Sequence, residues 1–278
     1  MIRLLSSICF FILLAGGSYW VWETQPRIRN LVKENLQTGE FQTLEVRYTA
    51  DSIMNEHAHT LLKDQEHEFL PSTLSFYPYV LLEVKYVKES GGTGEGYMLW
   101  GLEDGEMVLN TSSWEKSHGF EDSIVSEANR YDFKIINILA SNGGSMDRES
   151  MLKHLSVESD ILDTWVESAK KKQLIIQKGN DYRLHFQNPS LPSAPETKMK
   201  HRMVNKPYKY ATRVGKKYSI SQIKEVCHAA FGSGFGIRSV TEVYLPVHVI
   251  EVKNPDGSIF STQWNALTGK RIQDAFFP

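Results

Sequence analysis

The sequence predicts an α+β protein in which two helix-plus-antiparallel-meander modules flank a module of three helices and a hairpin, behind one N-terminal transmembrane helix. Three observations carry that prediction. Pro78–Lys85 reads PYVLLEVK, and 168 positions later Pro246–Lys253 reads PVHVIEVK. Residues 131–187 carry apolar side chains at helical spacing in three runs, followed by two short strand-like runs. Leu4 to Trp22 contains no charged residue.

The leader comes first in the chain. Its 19 uncharged residues compare with the roughly 20 that an α-helix needs to cross a bilayer. Tyr19, Trp20 and Trp22 stand at its far end, where amphipathic rings favour the membrane–water interface. The competing reading is a cleaved signal peptide, with Arg3 as its basic region and Ala15-Gly16-Gly17 near the cut. Apolar residues continue past that site, which favours an anchor, so residues 4–22 are expected to hold the chain to a membrane. A short tail bearing only Arg3 tends to stay cytoplasmic and would place the body outside; Arg27, Arg29 and Lys33 on the other side weigh against this.

The rest has the composition of folded protein, with 41% apolar and 23% charged residues. A net charge of −2 argues against a globally basic nucleic-acid binder. Beyond Cys9 in the leader, Cys227 is the only thiol, which excludes an internal disulfide and a multi-cysteine zinc site in the body.

The repeat extends outward from the strands. Arg47-Tyr48-Thr49 with Ile53 matches Lys217-Tyr218-Ser219 with Ile223, 170 positions apart, and Trp100, Gly105 and Val108 match Trp264, Gly269 and Ile272, 164 apart. Each copy, 41–115 and 217–278, reads as a helix (Asp51 to Glu68; Ser221 to Phe231) capped near Ser52 or Ser221. A long strand follows, Phe76 to Val87 or Val240 to Lys253, with Pro78 and Pro246 near the strand starts. In the second copy Asn254-Pro255-Asp256-Gly257 turns the chain into a strand from Ser258 to Trp264, and Leu267-Thr268-Gly269 into a last short one. A helix over one sheet face is the expected unit. The series helix, long strand, turn, strand, Trp264-Asn265-Ala266-Leu267-Thr268-Gly269-Lys270-Arg271-Ile272 resembles a PepSY-type module, best in the second copy. That resemblance implies a non-catalytic extracytoplasmic domain that binds, or that restrains a peptidase.

In the insert, Tyr131 to Ser141 reads as a first helix stopped by Asn142-Gly143-Gly144. Asp147 starts a second, and Ser156 or Ser159 caps a third bearing Ile161, Leu162, Trp165, Val166 and Ala169. QLIIQK, a Gly179-Asn180-Asp181 turn and YRLHF complete a pattern that resembles a winged helix-turn-helix over 131–187. The resemblance implies a third helix that enters the major groove and a wing that grips phosphates. Here that helix opens with Glu158, Asp160 and Asp163, and the region holds eight basic and eight acidic residues, which favours protein contacts over DNA.

Between insert and second copy lies a basic linker, 188–216, opening with PSLPSAP. Lys198, Lys200, Arg202, Lys206, Lys209, Arg213, Lys216 and Lys217 make it the candidate contact for a partner, polyanion or anionic lipid, unless it is only a solvated connector. No cofactor or metal is expected. His57 and His59 point to different helix faces, and His59 and His67 are two turns apart. Phe231 to Gly236, FGSGFG, follows a helix rather than a strand and so reads as a helix C-cap, not a phosphate loop. Trp100, Trp114, Trp165 and Trp264 read as core anchors, and no acid, base and stabiliser assemble in one motif. The sequence therefore points to a non-enzymatic, membrane-anchored binding or assembly module of the cell envelope. Its alternatives are a membrane-tethered winged-helix DNA-binding regulator and a restraint on a peptidase.

Overall fold

A computed structural model describes residues 39–88, 90–207 and 211–272. The expected anchor at 4–22 lies outside the described residues, among which no helix is long and apolar enough to cross a membrane. The chain runs β1 (Glu40–Leu44), α1 (Ala50–Leu61), β2 (Glu68–Phe69), β3 (Thr73–Val87), β4 (Thr93–Gly101), β5 (Met107–Asn110), β6 (Glu115–Lys116) and α2 (Phe120–Val125). The insert follows as α3 (Arg130–Ser141), β7 (Ser145–Asp147), α4 (Arg148–Leu155), α5 (Ser159–Lys171), β8 (Ile175–Lys178) and β9 (Asp181–Leu184). Then come β10 (Met203–Pro207), β11 (Thr212–Arg213), α6 (Ile220–Phe231), β12 (Gly236–Lys253) and β13 (Ile259–Asn265). The architecture is α+β, with one curled ten-stranded sheet and a separate small sheet ordered β7-β9-β8.

The two flanks correspond residue by residue. Helices α1 and α6 begin and end 170 positions apart. Their N-caps are Thr49, which accepts the Ser52 N–H, and Ser219, which forms a capping box with Gln222. The expected caps Ser52 and Ser221 lie inside the helices instead, because the cap oxygen must stand before the first helical residue to reach the free N–H groups. Helix α1 stops at Leu61 rather than Glu68: Asp64 accepts the Glu66 N–H at 2.9 Å, turning the chain so that Glu68 and Phe69 pair with β12.

Strands β3 and β12 pair antiparallel along most of their length, with Tyr77 opposite Leu245, and those two residues are themselves 168 apart. A half-turn about that point exchanges the flanks. Pro78 and Pro246 flank this centre; the strands begin earlier than expected because Gly236 to Pro246 pair with β3, and Ser75 and Phe76 with β11. Val80 opposes Trp100 as His248 opposes Trp264, and Trp100 opposes Met107 as Trp264 bridges Arg271. Leu102 N–H donates to the Pro78 carbonyl at 3.0 Å, as Ala266 N–H does to Pro246 at 3.1 Å. Gly105 and Gly269 take φ +70 and +68, and a Cβ at either would press on Tyr218 or Tyr48 at about 3 Å.

The expectation that each helix covers its own meander is corrected. Ile53 and Leu61 of α1 pack with Ile250, Val252 and Trp264, strands of the other flank. Ile223, Val226 and Cys227 of α6 share a core with Val80, Leu82, Val84 and Trp100. The leading strands are exchanged too: β1 pairs parallel with β12 (Thr43 with Tyr244), and β11 with β3 (Arg213 with Phe76). The backbone seals the exchange, since Tyr48 N–H donates to the Ala266 carbonyl at 2.9 Å and Tyr218 N–H to Leu102 at 2.8 Å. Each flank is thus completed by the other.

In the insert, Asn129 caps α3 in a capping box with Asp132, and Asp147 caps α4. Helix α5 starts after Glu158, which makes no side-chain cap, so neither Ser156 nor Ser159 caps it. The insert does not keep a core to itself. Phe133, Ile136, Leu139, Leu162 and Val166 belong to the same buried cluster as Trp100 and Ile223. Buried Asp132 ties the ends of two helices by accepting from Lys172 Nζ at 2.7 Å.

The described residues of 188–216 do not form a free linker. They run along the sheet: Ser190 exchanges two backbone hydrogen bonds with His118 (both 3.0 Å), β10 pairs with β1, and β11 with β3. Backbone pairing of this kind depends on N–H and C=O groups, which a basic composition does not reveal.

Candidate functional site

A groove of about 590 Å³ opens where the insert, the end of α6 and the proline-rich segment meet. Each wall is fixed by local chemistry. Gly232 ends α6 at φ 74 with its N–H on the His228 carbonyl, and Gly234 accepts from Val87 N–H at 3.1 Å, so the FGSGFG turn is held against the end of β3. A Cβ on Gly234 would stand 2.8 Å from Val87, so a larger residue would push this wall away. The opposite wall, Pro189 to Pro195, is pinned at one end by the Ser190–His118 pair. At its other end Thr197 Oγ1 donates to the Val108 carbonyl at 2.5 Å and accepts the Leu99 N–H at 2.9 Å. Helix α3 contributes Asn137, Ala140 and Ser141, and among the described residues Arg130 is the one charged residue lining the groove. Arg130 Nη2 lies 3.5 Å from Ser233 Oγ.

Prolines have no N–H, so this wall offers few backbone donors. A wall of prolines beside a glycine turn, with alanine, serine and asparagine below, suits an extended apolar or hydroxyl-bearing segment. Tyr86 marks the rim; burial raises its pKa, and its hydroxyl donates to Glu196 at 3.0 Å, which raises it further.

Other ionisable groups are engaged elsewhere. Lys116 bonds Asp104 and sits 5.4 Å above the Tyr79 ring; burial works against its charge, but Tyr79 and Asp104 together raise its pKa. Burial lifts Tyr79 to about 12. Glu106 is buried, which raises its pKa, while its carboxylate accepts from Ser117 Oγ at 2.5 Å, Gly119 N–H at 2.9 Å and Glu121 N–H at 3.0 Å. These contacts hold the β5–α2 corner together.

The predicted basic residues that are described take different neighbours. Lys198 bridges Asn110 beside β5, exposed Lys200 and Arg202 follow it, and Lys206 opposes Phe41 of β1. Lys209 lies outside the described residues, and Arg213 opposes Phe76. Lys216 pairs with Glu242 at 2.8 Å and Lys217 with Glu121 at 2.6 Å. Lys216 and Lys217 are thus engaged by carboxylates. Among the described residues no three His, Cys, Asp or Glu side chains converge on a common point. His57 stacks on Trp264 with ring centroids 4.5 Å apart, and His67 bonds Asp64. Trp100 and Trp264 are buried, whereas Trp114 and Trp165 are only half-buried, Trp165 stacking on Tyr131.

No family model, curated protein or solved structure matches the chain. The groove residues Arg130, Asn137 and Pro189–Pro195 were not among the sequence candidates. Their signal was present in two motifs, PSLPSAP and FGSGFG, but only the fold places them face to face.

Proposed function

We propose that this protein is a non-enzymatic binding or assembly module of the cell envelope, anchored through residues 4–22 with its body outside the cytoplasm. In this reading the flanks are two PepSY-like copies packed as a pseudo-symmetric pair, and the insert is a winged-helix-like domain used for protein contact. The observation that carries it is the groove, whose described lining is mainly proline, glycine, serine and apolar side chains, with Arg130 its one charged member among the described residues. Such a surface recognises shape and backbone rather than charge.

The DNA-binding alternative finds less support in the insert. Arg148 forms a bidentate contact with Asp163 at 2.8 Å, Lys170 bonds Glu167 and Lys172 bonds Asp132, so these cations already have carboxylate partners.

Two linked measurements test the proposal. A C-terminal reporter active only outside the cytoplasm is expected to be active. A photo-crosslinking residue at Asn137 is expected to trap a partner protein that the same residue at exposed Lys178 does not, and Ser193→Arg is expected to abolish the adduct. A cytoplasmic body that binds duplex DNA with steep salt dependence would replace this reading with the regulator.

A further inference from the structure

Among the described residues, the first flank holds a segment that has no counterpart on the second. In the first, Glu196 to Lys198 wedge between β4 and β5. Thr197 N–H donates to the Tyr97 carbonyl at 2.7 Å, its Oγ1 joins Leu99 N–H to the Val108 carbonyl, and Lys198 N–H donates to Leu109 at 2.9 Å. Thr197 is buried.

The matching residues of the second flank, 164 positions on, are Ser261, Gln263 and Ile272. The geometry is the same as far as it goes, because Ile272 N–H donates to the Gln263 carbonyl at 2.8 Å. That bond shows that Gln263 turns its backbone groups away from β12, and with a period of two Ser261 and Ile259 do so as well. Among the described residues nothing stands where Thr197 stands. Beside this open edge Ile259 is 59% and Phe260 44% exposed, and Lys270 and Arg271 are exposed, with Arg271 lying 5.5 Å from the Phe260 ring.

We infer that the Ile259–Gln263 edge of β13 is a strand-addition site for an extended segment of a partner protein. The segment carries a threonine or serine that joins Gln263 N–H to the Ile272 carbonyl, as Thr197 does on the other flank, next to a carboxylate that meets Lys270 and Arg271. Main-chain bonds supply the affinity and the hydroxyl fixes the register. An edge that no described residue covers, beside exposed Ile and Phe, is what proteins otherwise blunt with charge or cover. The inference does not depend on the groove.

The test uses the full chain and a synthetic peptide with the sequence of residues 193–199, Ser-Ala-Pro-Glu-Thr-Lys-Met, the segment that fills the first notch. Hydrogen exchange at Ser261 and Gln263 is expected to slow about tenfold when the peptide is added. A peptide with valine in place of threonine is expected to lose most of that protection. Ser261→Pro, which removes an outward N–H and leaves the β12 ladder intact, is expected to abolish protection of Gln263 without changing the melting temperature. Amides already protected before peptide is added, by the chain's own residues 273–278 or by a second copy, overturn the inference. So does an absence of protection at millimolar peptide.

Discussion

His248 breaks the likeness of the two flanks at a core position, since its counterpart is Val80. Its Nε2–H donates to the Tyr48 carbonyl at 2.9 Å, and burial lowers its pKa below the ordinary 6.5 while Asp51 opposes the shift only in part. The unfolded chain therefore binds a proton at higher pH than the folded one, so this histidine leaves stability intact above about pH 6.5 and removes it as pH falls below. His201, lowered by burial and by Arg47, acts in the same direction. His248→Val is expected to stay within about 1 kcal/mol of the parent at pH 7.5, and to flatten the loss of melting temperature between pH 7 and pH 5. An unchanged pH profile would show that His248 is not its source. Cys227 is fully buried, and burial raises its pKa well above the thiol norm. In a Cys9→Ser background it is expected to resist alkylation until denaturant unfolds the chain, as labelling time courses would show.

At the scale of elements, the left-handed glycines report the correspondence most directly. Gly105→Ala and Gly269→Ala each force a Cβ against a tyrosine at positive φ. Each is expected to cost about 1–3 kcal/mol, measured by urea unfolding, and near-equal losses would mark the two turns as one device used twice. The elements were legible in the sequence to differing degrees. The helices, long strands and turns of both flanks could be read because Tyr48, Thr49, Ile53, Trp100 and Gly105 recur at fixed offsets, and those residues make the equivalent caps, core contacts and turns. The exchange of partners could not be read. An apolar face on α1 says that Ile53 is buried, not which strands bury it. Strand β7, three residues long, is too short for any period to register, and β10 and β11 hid within a basic run whose pairing is made by backbone. The groove was visible only as two unrelated motifs, because sequence order says nothing about their facing one another across α3.

For the whole molecule, reciprocal packing means that neither flank can open alone. Ile53→Ala and Ile223→Ala remove equivalent buried side chains from opposite ends of the chain. Each is expected to lower global stability by about 2–5 kcal/mol, with tryptophan fluorescence and far-ultraviolet dichroism tracing one coincident transition. Two separated transitions would show that the exchange does not couple the halves.

The same interlock sets a timetable for biosynthesis. Helix α1 leaves the ribosome long before Ile250, Val252 and Trp264, the residues of the other flank that bury Ile53 and Leu61. Contacts so distant along the chain close slowly, and the waiting surface is sticky. The nascent polypeptide must therefore keep that apolar face from other chains until the second flank has emerged.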